Sequence, residues 1–385
     1  METIQMKKQL LAVAVASAFA STAFAANVDL YGVVDTGLVY SQTEFGGVLT
    51  SGAIDENSFT MKSGANSASR FGLKGTEDLG DGYSVEFKLE NGFASDTGSF
   101  ATAGKLFDRE ARLSVNTPYG TVSFGRMGAL TSGAGTYDVF QATGDALDGG
   151  YCDYIGSANW FDRARYDNMI TLVTPEANGF TGYAQYSFKA SGSEEAQVRR
   201  NDRYAALGLT YSAGPVNFAV VADTILKATD TKNDAGAWED AKDADYDDAK
   251  ALSFGINYDF GVTKAFFGAQ YGKNELMAAD VDLSGWEKIL RFDGYNLSVG
   301  AVTPLPCGTL EAKVFYGDYE HSKTSDITAK VYGVALMHSY PLSKRTSFYT
   351  GAGYTQADVK VETEDVTAAG RVKGFDVTMG LTHKF

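Results

Sequence analysis

Histidine, cysteine, proline and basic charge are all scarce in this chain, and it has no long apolar run. The three His leave little for a charge-relay nucleophile: His338 and His383 share the parity of Leu336 and Leu381, and His321 falls in a loop. Cys152 and Cys307 belong to segments expected to lie far apart, so both are read as free thiols. No Cys/His cluster has metal spacing and no Gly-rich phosphate loop leads from a strand into a helix, so neither cofactor nor metal is expected. A stretch of about 18 apolar residues is missing, which disfavours an inner-membrane helical protein. With 33 Lys and Arg against 48 Asp and Glu the net charge is −15, and no nucleic-acid partner is expected because phosphates would find no neutralising surface. The 6 Pro all sit in turn signals such as Asn116-Thr117-Pro118-Tyr119-Gly120 and Thr303-Pro304-Leu305-Pro306-Cys307-Gly308, leaving strand interiors with their N–H donors.

Alternation fills the space these absences leave. From Phe375 to Phe385 every odd position is apolar or ring-bearing, giving one face for lipid and one for water. Tyr83, Val85, Phe87 and Leu89 oppose Ser84, Glu86, Lys88 and Glu90 in the same way, and Leu252, Phe254, Ile256, Tyr258 and Phe260 oppose Ser253, Gly255, Asn257 and Asp259. Strands with one apolar and one charged face suit a closed barrel with a wet interior, the arrangement that leaves no backbone group unpaired in a bilayer. Tyr119, Phe180, Tyr211, Tyr258 and Tyr340 beside the turns read as an interfacial girdle.

The connections alternate as well. Short turns trade off with long polar segments at roughly 41–66, 94–106, 128–160, 190–202, 227–250, 274–287, 321–327 and 356–370, so eight long loops and seven short turns join sixteen strands. Lys7 and Lys8, the apolar run Leu10 to Ala20 and the small-x-small site Ala23-Phe24-Ala25 mark Met6–Ala25 as a secretory signal peptide, with residues 1–5 an upstream extension. Translation could start at Met1 or Met6. The expected organisation is a leader over 1–25 and one all-β domain over 26–385, a 16-stranded antiparallel transmembrane β-barrel exported from the cytoplasm. Removing residues 1–25, which carry one Glu and two Lys, leaves −16.

Ser69-Arg70-Phe71-Gly72-Leu73-Lys74-Gly75 followed by Glu77-Asp78-Leu79-Gly80, and Arg165-Tyr166-Asp167-Asn168 followed by Thr174-Pro175, resemble the Gram-negative general porins, most closely the betaproteobacterial type. Val28-Asp29-Leu30-Tyr31-Gly32 and the terminal Phe385 are similar to the same family. The resemblance implies a homotrimer of outer-membrane barrels, each with an inward-folded third loop whose acids face a basic wall. It also implies insertion by the barrel-assembly machinery through the C-terminal strand.

Here the third connection runs from Met127 to about Trp160, and its candidate constriction acids are Asp138, Asp145 and Asp148, with Asp153 in the same stretch. Parity puts Arg70 and Lys74 on the inward face, and Arg112 opposite Ala111, Leu113 and Val115; Arg109, Arg163 and Arg165 match family wall positions. Arg109 shares the parity of Leu113 and reaches the lumen only if its strand is bulged or bent. Arg126 shares the outward parity of Val122 and Phe124, and the resemblance assigns it to the subunit interface. The expected function is passive diffusion of small hydrophilic solutes by sieving and a transverse field. A substrate-specific porin for sugars or organic acids and a non-conducting adhesin or structural barrel are the alternatives. Eight acids between Asp230 and Lys250 read as a solvated loop, bridged by divalent ions to lipid and lipopolysaccharide head groups, rather than as a calcium site. The acidic vestibule leans the expected selectivity toward cations.

Overall fold

The computed structural model describes residues 27–47, 54–147, 161, 163–232, 238–240, 248–276, 291–362 and 367–385. The leader, Asp148, Cys152 and Asp153 lie outside these residues.

Seventeen strand segments form one antiparallel sheet that closes on itself. Two of them, Ile54–Ser63 and Arg70–Gly80, both pair with the first strand, Asn27–Gly47, at different heights and make one interrupted strand. The ring therefore has sixteen positions, as the loop and turn pattern predicts. It closes between the first strand and the last, Thr367–Lys384, in a ladder from Val33↔Lys384 to Gly47↔Gly370.

Side-chain alternation is visible along the last strand. Phe375, Met379 and Leu381 are 41%, 48% and 50% exposed, whereas Asp376, Thr378 and Thr382 are 3%, 2% and 4% exposed. An apolar outer skin over a polar inner face is the inverse of a water-soluble barrel. At the end of the short turns, rings stack on this skin: Phe180 on Tyr211 at 4.7 Å, Tyr211 on Phe218 at 5.3 Å and Tyr258 on Phe260 at 4.6 Å.

Two of the expected long loops are largely strand. Residues 41–45 pair with 54–58 and 356–362 pair with 367–373, so these hairpins continue the wall beyond the apolar band. There the inner face is apolar, with Phe45, Ala357, Val359 and Val372 gathered around Phe292 and Tyr319, and the outer face carries Glu44, Asp358, Arg371 and Lys373, so the alternation runs in the opposite sense to that of the apolar band. The 227–250 segment holds a small hairpin of Asp230–Lys232 with Trp238–Asp240, and Asp230 pairs with Arg199 at 2.9 Å.

The break in the second strand turns inward at Gly64, whose φ of +68° is left-handed. Asp35, inward on the first strand, holds it. The Asp35 carbonyl accepts from the Gly64 N–H at 2.9 Å and from Ser69 Oγ at 2.9 Å, and its carboxylate accepts from Tyr349 OH at 2.8 Å.

After the strand Gly120–Gly128, the third connection packs against inward-facing residues of the wall. Leu130 and Phe140 join Met127, Tyr166, Met169, Tyr204 and Val221 in one buried cluster, and Tyr166 stacks on Tyr204 at 4.5 Å. A single helical turn, Gln141–Gly144, follows.

Candidate functional site

Alternation delivers two columns of charge to the interior. The strand Tyr83–Gly92 presents Glu86, Lys88 and Glu90, and the next strand, Glu110–Thr117, presents Glu110, Arg112 and Ser114. Register sets Lys88 beside Arg112 and Glu90 beside Glu110, so like charges stand directly opposite. Neutralisation therefore runs diagonally: Lys88 meets Glu110 at 3.2 Å and Glu90 at 3.5 Å, Arg109 meets Glu90 at 2.7 Å, and Arg112 meets both Glu110 and Glu86.

The third connection is fastened onto this ladder. The Thr136 N–H donates to Glu110 at 2.6 Å and its hydroxyl donates at 2.9 Å, while the Arg112 guanidinium lies 5.5 Å from the Tyr137 ring centre.

Between the ladder and the connection lies an open space of about 710 Å³. Its wall side carries Tyr31, Arg70, Lys88, Glu90, Arg109 and Arg165; its loop side carries Thr136, Asp138, Gln141 and Asp145. Asn66, Ser67 and Ala68 of the broken second strand complete the lining, and Arg70 donates to the Ala68 carbonyl at 2.7 Å.

The expected residues divide between this space and other places. Arg70, Arg109, Arg165, Asp138 and Asp145 line it. Arg109 needs no bulge, because its strand begins at Glu110 and the residue sits just outside the alternation. Lys74 stands away from the lining, half exposed and 3.9 Å from Asp29. Arg112 is sealed under the connection at 7% exposure. Arg163 is buried elsewhere: its Nε donates to Asp223 at 2.6 Å and its two terminal nitrogens donate to Glu275 at 2.7 and 2.6 Å.

Arg126 donates to the Asp108 carbonyl at 2.6 Å and pairs with Asp167 at 2.6 Å; Lys105 shares that carboxylate at 2.9 Å. Phe385 exchanges two backbone hydrogen bonds of 3.1 Å with Gly32 and lays its ring where a Gly32 side chain would be. Tyr31, Lys88, Glu90 and the 66–68 segment were not among the expected lining residues. For Lys88 and Glu90 the signal was present, since both share the inward parity of Glu86.

Four cations and three acids line the space, and two of the acids are already matched. Glu90 is held by Arg109, and Asp145 is paired with the buried Lys313 at 2.6 Å. Arg109 is within Coulomb range of both Arg70 and Arg165, and Arg165 Nε makes no hydrogen bond among the described residues.

A closed barrel, apolar outside and charged inside, with an open space crossed by its own loop, is a membrane channel. The chain belongs to the Gram-negative porin family, whose sequence profile matches residues 12–360. It is 31% identical over 414 residues to an outer membrane porin protein of Bordetella pertussis, covering 99% of this chain and 100% of that one. It is 28% identical over 392 residues to outer membrane porin protein 32 of Delftia acidovorans, with 99% and 100% covered. Among solved structures, an anion-selective porin from Comamonas acidovorans shares the fold at a TM-score of 0.62 and 23% identity, with 94% of this chain and 100% of that chain covered. The protein is an outer-membrane porin of a Gram-negative bacterium, a water-filled channel for passive diffusion of small hydrophilic solutes and ions, and not an enzyme.

Proposed function

We propose that the 710 Å³ space is the constriction of this channel and that it favours anions. The observation that carries this is Arg70 and Arg165, which line the space and form no salt bridge among the described residues, while Arg109 and Lys88 are matched by Glu90 and Glu110, and Asp145 by Lys313. A permeating ion responds to charge within about a Debye length, roughly 8 Å at physiological salt, so the local excess outweighs a net −16 spread over distant loops. This reverses the lean toward cations drawn from net charge alone. Asp138, across the space from the arginines, gives the field its transverse direction and favours polar solutes over apolar ones of equal size. The same guanidiniums suit carboxylates, which supports organic acids as preferred solutes.

The proposed assembly is a homotrimer, the form of one solved structural neighbour, an OmpT of Vibrio cholerae. Phe100 and Leu106, 52% and 53% exposed on the connection between Gly92 and Glu110, supply apolar contacts for a neighbouring copy. Arg126 and Lys105 steady that connection through Asp167. Lipid and lipopolysaccharide would cover the remaining skin, and the Phe385 strand would be the segment read by the barrel-assembly machinery.

Reconstitution in a planar bilayer under a KCl gradient tests the reading. The expected result is conductance steps grouped in threes with a reversal potential on the anion side. A cation-side potential unmoved by Arg70→Gln refutes the constriction assignment.

A further inference from the structure

The helical turn Gln141–Gly144 rests on the wall opposite Arg70, since Gly255 is on the tenth strand position and Arg70 on the second in a ring of sixteen. The inward residues beneath it form one cross-strand row of small side chains: Ala219↔Gly255, Gly255↔Gly268 and Gly268↔Ser298. Contact there is backbone on backbone. A Cβ on Gly144 would stand 2.8 Å from the Gly255 Cα and 3.3 Å from the Gly268 Cα. A Cβ on Gly255 would stand 2.8 Å from the Gly144 nitrogen and 3.0 Å from the Phe140 oxygen. Neither glycine has the positive φ that demands glycine, so close approach is what requires them.

The turn is pinned along this row. Asn257 Nδ2–H donates to the Thr143 carbonyl at 2.9 Å, and Lys313 pairs with Asp145 at 2.6 Å, two groups that are buried against the wall. Ala146 continues the line: a Cβ on Gly300 would fall 2.6 Å from the Ala146 Cβ.

We propose that Gly255 and Gly268, which do not line the open space, set its width by deciding how flush the third connection lies on the wall. This inference rests on reading that space as the constriction. No flexible side chain is present to swing aside, so an added methyl moves the whole turn, and the wall behind it leaves one direction free, toward Arg70 and Arg109. Ordinary carbon contact is about 3.8 Å, so the turn retreats by about 1 Å. The cube root of 710 Å³ gives a mean width of about 9 Å, so that displacement removes about a tenth of the opening. Gly255 and Gly268 are therefore positioning residues for solute size, while Arg70, Arg109 and Arg165 govern solute charge.

Gly255→Ala and Gly144→Ala approach the same gap from its two sides. Each is measured as a reconstituted full-length channel whose heat-modifiable gel mobility shows a folded barrel. The readouts are single-channel conductance, reversal potential, and liposome swelling in sugars of increasing size. The expected result is conductance about a tenth lower in each, lower still in Gly255→Val, with a smaller largest permeant sugar and an unchanged reversal potential. If Gly255→Ala does not insert, Gly144→Ala carries the test, because it lies outside the hydrogen-bonded ladder. Wild-type conductance and sugar limit in folded variants overturn the proposal, and so does raised conductance, which means the turn has detached. Arg70→Gln separates the two readings. If it moves the reversal potential while the glycine variants change nothing, the seat fails and the constriction stands; if it moves nothing, the constriction reading fails first.

Discussion

Replacing Arg163 with Met removes the cation that holds two carboxylates with almost no contact with water. The side chains of Arg163, Asp223 and Glu275 are 2%, 0% and 2% exposed, and the guanidinium makes three bonds of 2.6 to 2.7 Å to the two acids. Leaving one side of a buried pair without its counter-charge costs about 3–5 kcal/mol, whereas replacing every charged member by neutral groups of similar shape is near neutral. Arg163→Met should therefore lose up to about 3–5 kcal/mol, and the triple variant Arg163→Met, Asp223→Asn, Glu275→Gln should regain most of it. With a urea slope of about 3 kcal/mol/M, the unfolding midpoint of the single variant falls by about 1 M or more. Refolding into lipid vesicles with unfolding followed by gel mobility and Trp fluorescence measures this.

A lesser outcome has its own signature. Arg163 ties the returning arm of the third connection to the wall, so where the barrel ladder outlasts that arm the loss is capped at the energy of docking it. The single-channel current then flickers between levels, and the triple variant quiets it. A midpoint within about 0.3 M of wild type together with a quiet current would refute the reasoning.

Other outcomes follow from the same geometry. Arg70→Gln and Arg165→Gln should each shift the reversal potential toward cations, and Asp138→Asn toward anions; in a KCl gradient, no movement in any of the three removes them from the constriction. Deleting Phe385 should lower the amount of folded protein in the outer membrane, and Gly32→Ala should lower it less, because its Cβ would press on the Phe385 ring and stand 2.8 Å from the Arg70 carbonyl; surface levels equal to wild type in both would detach the seam from assembly. Asp167→Asn should loosen the connection held by Arg126 and Lys105 and lower the temperature at which trimers dissociate on a gel, whereas an unchanged temperature places that cluster away from the interface.

The wall was legible in the sequence because a bilayer makes alternation obligatory: Phe375, Met379 and Leu381 had to face lipid whatever their neighbours did. Parity also placed Arg70 and Arg112 inward. Whether an inward arginine reaches open water depends on what lies over it, and Arg112 is covered by Tyr137, a residue 25 positions away on a segment without periodicity. Arg163 depended on partners still more remote, Asp223 and Glu275, on strands whose neighbours in space no local pattern announces. The inward break at 64–69 was hidden for a third reason. Gly-Ala-Asn-Ser-Ala-Ser reads as ordinary loop, and it is Asp35 on the first strand, acceptor to one end and both donor and acceptor to the other, together with Phe93, whose N–H donates to the Ser69 carbonyl, that holds it as a lining element.

The seam between residues 33 and 384 has a consequence in time. Neither edge of the sheet has a partner until the last strand arrives, so a chain still emerging from the ribosome or the export channel has no partial barrel to rest in. Its folding is held back until synthesis is nearly over, and the entropy of joining ends some 350 residues apart falls on a single late event. A prematurely terminated product would carry two open edges of unsatisfied N–H and C=O groups, intolerable in hydrocarbon and adhesive in water. Such a chain has only proteolysis or aggregation ahead of it, so ring closure also serves as a proofreading step on the length of the polypeptide.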